Sequence, residues 1–331
     1  MVNVWSLGKR VLRGDRKTAV FALLTTCNCK CAMCDMWKQR RRYIPLEDAK
    51  RVLDFLSANR FIAVYLTGGE PTLHPDIVEI VRYANQLGMS TSITTNGTCS
   101  KAKVTALKEA GLHFLSVSLD HWDDAVCEAI RGVKGIKQME ENTLRHARRI
   151  GLQAYALTFL NPYIVKDGIA TLIEYVNHEL AVPFGFCYPT KCDVNTFRLG
   201  SQMLRDEAEA SIRRCVWTIF NMKRRGYNVV NAGLYIEDIL NSAWNGKRNF
   251  RCRGGEDAVY VDWEANVYPC FLKPKLFNAL HEQPRFLENQ ACDDCFISCF
   301  REPSFFPQAL GSPRLLFKEL RYSDSTRRLI V

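Results

Sequence analysis

The sequence has no long apolar run. Its longest uninterrupted stretch is Ala19–Leu24, whereas a membrane-spanning helix needs about 20 apolar residues in a row, so no span is expected. The start lacks the cationic region, apolar core and small-residue cleavage site of an export signal, and none is expected. No internal repeat and no low-complexity stretch is visible, which excludes repeat architectures. Acidic residues are the minority, 35 Asp and Glu against 45 Lys and Arg, and the net charge is +10. Such a surplus reads either as a solvated basic surface or as attraction to an anionic partner, lipid or nucleic acid. Nucleic acid ranks last, because there is no appended RNA-binding module and no basic stripe interleaved with aromatics.

What is abundant is cysteine. Fourteen cysteines without an export signal point away from a disulfide scaffold and toward metal ligation in a reducing cytoplasm. The expected location is cytoplasmic, with peripheral contact at the inner face of the membrane. A chain of 331 residues, 47% of them apolar, can bury one large core and a smaller one.

The densest stretch is Cys27-Asn28-Cys29-Lys30-Cys31-Ala32-Met33-Cys34. Taken as Cys27, Cys31 and Cys34 it reads C-x3-C-x2-C. Three thiolates on one loop can hold three irons of a [4Fe–4S] cube and leave the fourth open, and an open coordination position separates a reactive metal site from a structural one. Counting Cys29 gives four sulfurs, which could close a zinc site. Structural zinc sites usually pair two separated knuckles, however, and these four crowd into eight residues.

The loop follows the apolar run Thr18–Leu24. A second apolar run, Phe61–Leu66, ends in Thr67-Gly68-Gly69-Glu70-Pro71. Further strands are expected at 90–95, 113–119, 152–159 and 183–188, alternating with helices at 45–59, 76–87, 101–110, 137–150, 166–180 and 202–225. Such alternation implies a parallel sheet with helices outside. After about residue 226 the character changes. Ala258–Asp262 and Val267-Tyr268 read as a hairpin around Trp263–Asn266.

The three-cysteine loop after one strand, with Gly-Gly-Glu-Pro after the next, resembles the radical S-adenosylmethionine (radical SAM) family. The resemblance implies an α/β fold, a partial (β/α)6 TIM-type barrel over 18–225, preceded by a basic amphipathic segment at 1–17. It implies chemistry at the carboxyl ends of the strands. It places Gly68, Gly69, Glu70 and Pro71 at the methionine amine of the cofactor and Met33 near its adenine. Asn96 ends the third strand. Ser118 and Asp120 share one face of the fourth strand, with Leu119 opposite, and suit ribose hydroxyls or the cofactor carboxylate. Arg131, in Ile130-Arg131-Gly132, can pair with that carboxylate. Each of these also has a plainer reading as a cap, a turn or a local ion pair.

At the sixth strand's end, Cys187, Tyr188 and Cys192 are candidates for donating a hydrogen atom to a substrate radical; buried packing is the plainer reading. Cys99, Cys127 and Cys215 read as core. The remaining cysteines, Cys252, Cys270, Cys292, Cys295 and Cys299, resemble the twitch and SPASM extensions that hold auxiliary [4Fe–4S] clusters, here a small α+β extension over 226–331 with a basic tail. Five cysteines favour one cluster, with zinc as the alternative. Cys252, Cys270, Cys292 and Cys295 are the first choice, and Cys299 a replacement for either of the last two.

The whole implies an enzyme that cleaves S-adenosylmethionine reductively, with two [4Fe–4S] clusters per chain. Its 5′-deoxyadenosyl radical abstracts hydrogen from an organic substrate that is a peptide, a small molecule or a lipid, with RNA as the remaining class. The partner expected is an external one-electron reductant such as flavodoxin or ferredoxin. The rival is a non-catalytic zinc or iron–sulfur binding protein. Two cationic amphipathic stretches, residues 4–13 (Trp5, Val11 and Leu12 with Lys9, Arg10 and Arg13) and 314–321 (Leu315, Leu316, Phe317 and Leu320 with Arg314, Lys318 and Arg321), are candidates for resting on anionic lipid.

Overall fold

The computed structural model describes residues 10, 13–15, 17–190, 209–246, 248–288, 292–310, 312–320 and 322. Six parallel strands form the first sheet region: β1 (Lys17–Ala22), β2 (Phe61–Thr67), β3 (Ser90–Thr95), β4 (Phe114–Ser118), β5 (Gln153–Phe159) and β6 (Phe184–Cys187). Between them run α1 (Leu46–Ala58), α2 (Ile77–Gln86), α3 (Lys101–Glu109), α4 (Asp124–Arg131), α5 (Ile136–Arg149), α6 (Pro162–Asp167) and α7 (Ile169–Glu174), the last extended by a π-turn over Tyr175–Glu179. Then come α8 (Glu209–Arg224) and α9 (Gly233–Asn245).

The helix at α4 lies outside the sequence-based expectation. Its signals are nonetheless local: the Asp123 side chain accepts from the Val126 amide, and Gly132 ends the helix at φ 68°.

The strands show why the sheet curves around a hollow. On the helix-facing side Val64, Leu66, Ile93, Leu115 and Val117 are buried. On the other side Ala63, Ser92, Thr94, Ser116, Ser118 and Cys187 are small, Tyr65 and Tyr155 add phenols, and Val20, Leu157 and Phe159 are apolar. Thr94 Oγ1 lies 2.7 Å from Ser116 Oγ across β3 and β4. One face therefore packs against helices by apolar burial, and the other carries hydroxyl, thiol and apolar side chains together.

The expected hairpin is present as β7 (Ala258–Val261) and β8 (Asn266–Tyr268), antiparallel with Val261 opposite Val267, followed by the short β9 (Phe277–Asn278). It does not stand apart. β7 pairs in parallel with β1, so the sheet order is β6-β5-β4-β3-β2-β1-β7-β8-β9. The C-terminal part thus continues the barrel sheet from its first strand. α10 (Ser298–Leu310) and α11 (Pro313–Leu320) complete the described chain.

Both stretches expected to rest on lipid are in part consumed by packing. Arg10 is buried, pairs with Asp15 at 2.8 Å, and donates to the carbonyls of Leu87 and Phe61 at 2.8 Å each. Lys318 pairs with Glu237 at 2.7 Å, and the Glu319 carboxylate caps the start of α9 by accepting from the Gly233 and Leu234 amides. Phe317 remains exposed. Residues 1–9, Val11, Leu12 and Arg321 lie outside the described residues, as do the side chains of Leu316 and Leu320.

Candidate active site at the strand ends

The cysteine loop leaves the end of β1 and is fixed from three sides. From β2, the Gly69 amide donates to Leu24 O and the Glu70 amide to Thr26 O, both at 2.8 Å. A Cβ on Gly68 would lie 2.3 Å from Leu24 O, and one on Gly69 2.2 Å from Thr26 O. The glycines are therefore required for backbone to lie against backbone, with Gly68 also at φ 134°. In this structure their close approach is to the chain's own β1 end. From α4, the carbonyls of Ile130 and Arg131 accept from the amides of Ala32 and Lys30.

From β3 comes Asn96. Its Nδ2 donates to Asn28 Oδ1 at 2.8 Å and to the Cys29 sulfur at 3.1 Å, while its Oδ1 accepts from Thr98. Asn96 is positioned in turn by Glu70. That buried carboxylate accepts from the Asn96 amide at 2.7 Å, Thr95 Oγ1 at 2.8 Å, and the Thr72 amide and hydroxyl. Burial pushes the Glu70 carboxyl up against these bonds, which favour its charged form. Sequence reading missed Thr72, Thr95, Thr98 and Asn28, because hydrogen bonds between strand ends leave no mark in a linear pattern.

The four sulfurs of the loop differ. Cys29 is buried and its thiol reaches both Cys27 and Cys31, which raises its own pKa. That contact lowers Cys27 and Cys31, Cys31 to about 6 with help from the Arg131 charge. Burial pushes Cys34 up to about 12. Arg131 lies 3.7 Å from the Cys31 sulfur.

Arg131 does not present a free guanidinium. It pairs with Asp120 at 2.6 Å and lies 3.8 Å from Glu140, all three being buried. The second Asp120 oxygen accepts from the Phe159 amide at 2.9 Å. Asp120 and Arg131, expected to meet the cofactor directly, here tie β4, β5 and α4 together beside the loop. Burial pushes the Glu140 carboxyl well up, and neither of its oxygens has a hydrogen-bond partner. Ser118 and Met33 are buried at the same edge.

The thiols can be tested against what they would hold. Among the described residues no group of three or more His, Cys, Asp or Glu side chains is arranged around one ion position. The donor set of three loop thiols, two of them with lowered pKa, fits a thiolate-bound cluster.

The C-terminal cysteines divide. Cys252 and Cys292 lie on paired backbone segments. Burial raises Cys270 to about 12, and the charges of Cys295, Cys252 and Cys292 add to the effect. Burial likewise lifts Cys295 to about 11, with Cys252 and Cys292 again adding. Cys299 keeps other company. On α10 it sits one helical turn before Glu302, which accepts from Asn231 Nδ2 at 2.5 Å, and Asn231 bonds the Phe186 backbone of β6. The thiols of Cys187 and Cys299 both reach the Ser298 hydroxyl. Cys187 and Cys299 thus share the Ser298 hydroxyl, while Cys252, Cys292 and Cys295 act on Cys270. Tyr188 stacks obliquely on Phe296 with centroids 4.9 Å apart. Cys192 lies outside the described residues. Of the cysteines read as core, Cys127 and Cys215 are buried and Cys99 is partly so.

The chain matches the Radical SAM superfamily over residues 22–176, just under half of its length. It is similar to Fe-coproporphyrin III synthase of Methanosarcina barkeri, 30% identical over 170 residues that cover 50% of this chain and 42% of that one. It is also similar to the AdoMet-dependent heme synthase of the same organism, 24% identical over 275 residues, 72% of this chain and 71% of that one. Among solved structures, Streptococcus suis SuiB bound to precursor peptide SuiA shares the fold with TM-score 0.64 and 19% identity, over 88% of this chain and 68% of that one. The chain spans about two fifths of the length of the first curated relative.

Proposed function

We propose that the chain is a radical SAM enzyme in which Cys27, Cys31 and Cys34 hold the [4Fe–4S] cluster that receives S-adenosylmethionine. A cluster bound there supplies one electron to the sulfonium, giving methionine and a 5′-deoxyadenosyl radical able to take hydrogen from an unactivated C–H bond. The observation that carries this reading is the triple anchoring of the cysteine loop by β2, β3 and α4.

The chain's own residues set the geometry. Gly68 and Gly69 hold the loop against β1, Asn96 keeps Cys29 out of the ligand set, and Arg131 offsets thiolate charge at Cys31. Ser118 and Met33 line the place where the nucleoside would lie. An organic substrate, peptide or small molecule, would occupy the chamber of Tyr65, Thr94, Ser116, Tyr155 and Cys187, whose hydroxyls offer hydrogen bonds and whose thiol is the candidate hydrogen donor. Cys252, Cys270, Cys292 and Cys295 would hold one auxiliary cluster, and a one-electron carrier such as flavodoxin or ferredoxin would supply reducing equivalents.

Anaerobically reconstituted protein given S-adenosylmethionine and dithionite is expected to form 5′-deoxyadenosine, and the Cys27→Ala, Cys31→Ala and Cys34→Ala variants none. Stoichiometric iron without 5′-deoxyadenosine in the unmodified chain would identify a binding protein instead.

A further inference from the structure

The C-terminal thiols share one buried cation. Arg301, on α10, is completely buried, and so is its partner Asp238 of α9 at 2.6 Å. A buried guanidinium must spend its donors inside the protein. Arg301 spends them on two particular pieces of chain. Nη2 donates to Phe250 O at 2.7 Å, and Nη1 reaches Cys292 O and Asp293 Oδ1 at 3.4 Å each. Phe250 is two residues before Cys252. One side chain thus bridges the segment that leads into Cys252 and the segment that carries Cys292, and Cys252 and Cys292 also pair through their backbones.

The charge sits where thiolates are expected. It pulls the Cys252 and Cys295 thiols toward their charged form, against the burial that pushes both up. Its Nε–H has no hydrogen-bond partner among the described residues, so one donor of the guanidinium is unspent. A second cation stands behind it. Arg248 lies 3.8 Å from Asp238 and 3.8 Å from Asp293, over the ring of Phe296. Of the two acids only Asp238 is buried; Asp293 is 54% exposed, and solvent screens it. Packing does not require this arrangement, because apolar side chains of similar volume often serve a core as well as a buried ion pair or better.

We propose that Arg301 is the positioning residue of the C-terminal cluster site: it locks the Cys252 and Cys292 segments together and sets a buried positive charge beside them. The proposal rests on the reading that Cys252, Cys270, Cys292 and Cys295 hold one auxiliary cluster. Net charge and hydrogen bonding around a cluster set its reduction potential. A neighbouring cation favours the reduced, more negative form, so Arg301 raises that potential and Asp238 moderates it.

The test uses the full chain reconstituted anaerobically, with iron analysis and an EPR-monitored redox titration as readouts. Arg301→Gln is expected to lower the reduction potential of the second cluster. Asp238→Asn, which leaves the cation in place, is expected to raise it. A side chain that only packs would not move the two in opposite directions. Arg301→Met removes charge and donors together and should lose about half of roughly eight irons. The irons at Cys27, Cys31 and Cys34 should stay, which tells a lost clamp from a lost fold. Arg301→Lys keeps the charge but cannot reach three acceptors, and should recover only part of that iron. Full iron with an unchanged potential in Arg301→Gln overturns the proposal, as do shifts of the same sign in Arg301→Gln and Asp238→Asn. Where Arg301→Gln loses the second cluster, the upward shift in Asp238→Asn decides alone. A wild-type chain with only about four irons overturns the auxiliary-cluster reading and this proposal with it, whereas roughly eight irons in the wild type and in every variant, all at one potential, overturns the proposal alone.

Discussion

The carboxylate of Glu70 accepts the backbone N–H of Asn96 at 2.7 Å, and through that bond the end of β2 fixes the side chain that grips the cysteine loop. Glu70→Ala leaves the donors of Thr72, Thr95 and Asn96 unpaired in a buried place, at a cost of about 3 kcal/mol or more. Glu70→Gln, which keeps the shape and one acceptor, should cost about half as much. Urea midpoints check both. An alanine variant within about 1 kcal/mol of wild type would show that water replaces the carboxylate without loss.

Cys29 is the most deeply buried cysteine of the loop and accepts from Asn96 Nδ2 at 3.1 Å, against 3.9 Å for Cys27. Cys29→Ala is expected to retain roughly the four irons of the first cluster, whereas alanine at Cys27, Cys31 or Cys34 removes them. Iron analysis after anaerobic reconstitution decides. If Cys29→Ala alone empties the site, the ligand assignment is wrong.

Cys299 shares the Ser298 hydroxyl with Cys187. Reconstituted wild-type protein should contain roughly eight irons. Cys299→Ala should keep them, and Cys252→Ala or Cys270→Ala should lose about half. Loss of the second cluster in Cys299→Ala would return that residue to the ligand set, and one stoichiometric zinc would replace the cluster altogether.

Arg131 sits between Asp120 and Glu140 with almost no exposed surface. Removing one member of a buried pair strands the other charge, so Arg131→Ala should destabilise the fold by about 3–5 kcal/mol. The triple variant Asp120→Asn/Arg131→Met/Glu140→Gln should recover part of that, because no unpaired carboxylate remains. Equal losses in both variants would mean that the pair contributes through packing alone.

Burial raises the Glu302 carboxyl from its ordinary 4.5 to about 7. A raised carboxyl pKa means that the folded state holds the proton more tightly than the unfolded chain. Its contribution is complete below about pH 4.5 and is lost as pH rises toward 7. The loss amounts to about 2 kcal/mol, allowing for its partial exposure. Glu302→Gln should flatten that part of the stability profile, as read from denaturant midpoints at pH 5 and pH 8, and an unchanged slope would assign it to another group.

The order of strands β1–β6, the β7–β8 hairpin and the two chemical landmarks, Cys27–Cys34 and Gly68–Pro71, were legible in the sequence. Each is local: apolar runs bounded by turns, thiols at fixed spacing, glycines before a proline. Tertiary structure alone decided the rest. It placed β7 against β1, since strand pairing across more than two hundred residues depends on which edge is open. It tied Glu70, Asp120 and Arg131 into hydrogen bonds and ion pairs beside the loop, because a buried charge must find its partner in space. It also brought Cys299 and Cys187 to one hydroxyl, that of Ser298. Spacing in the chain is similar for Cys292, Cys295 and Cys299, but α10 carries Cys299 toward the chamber beside Cys187.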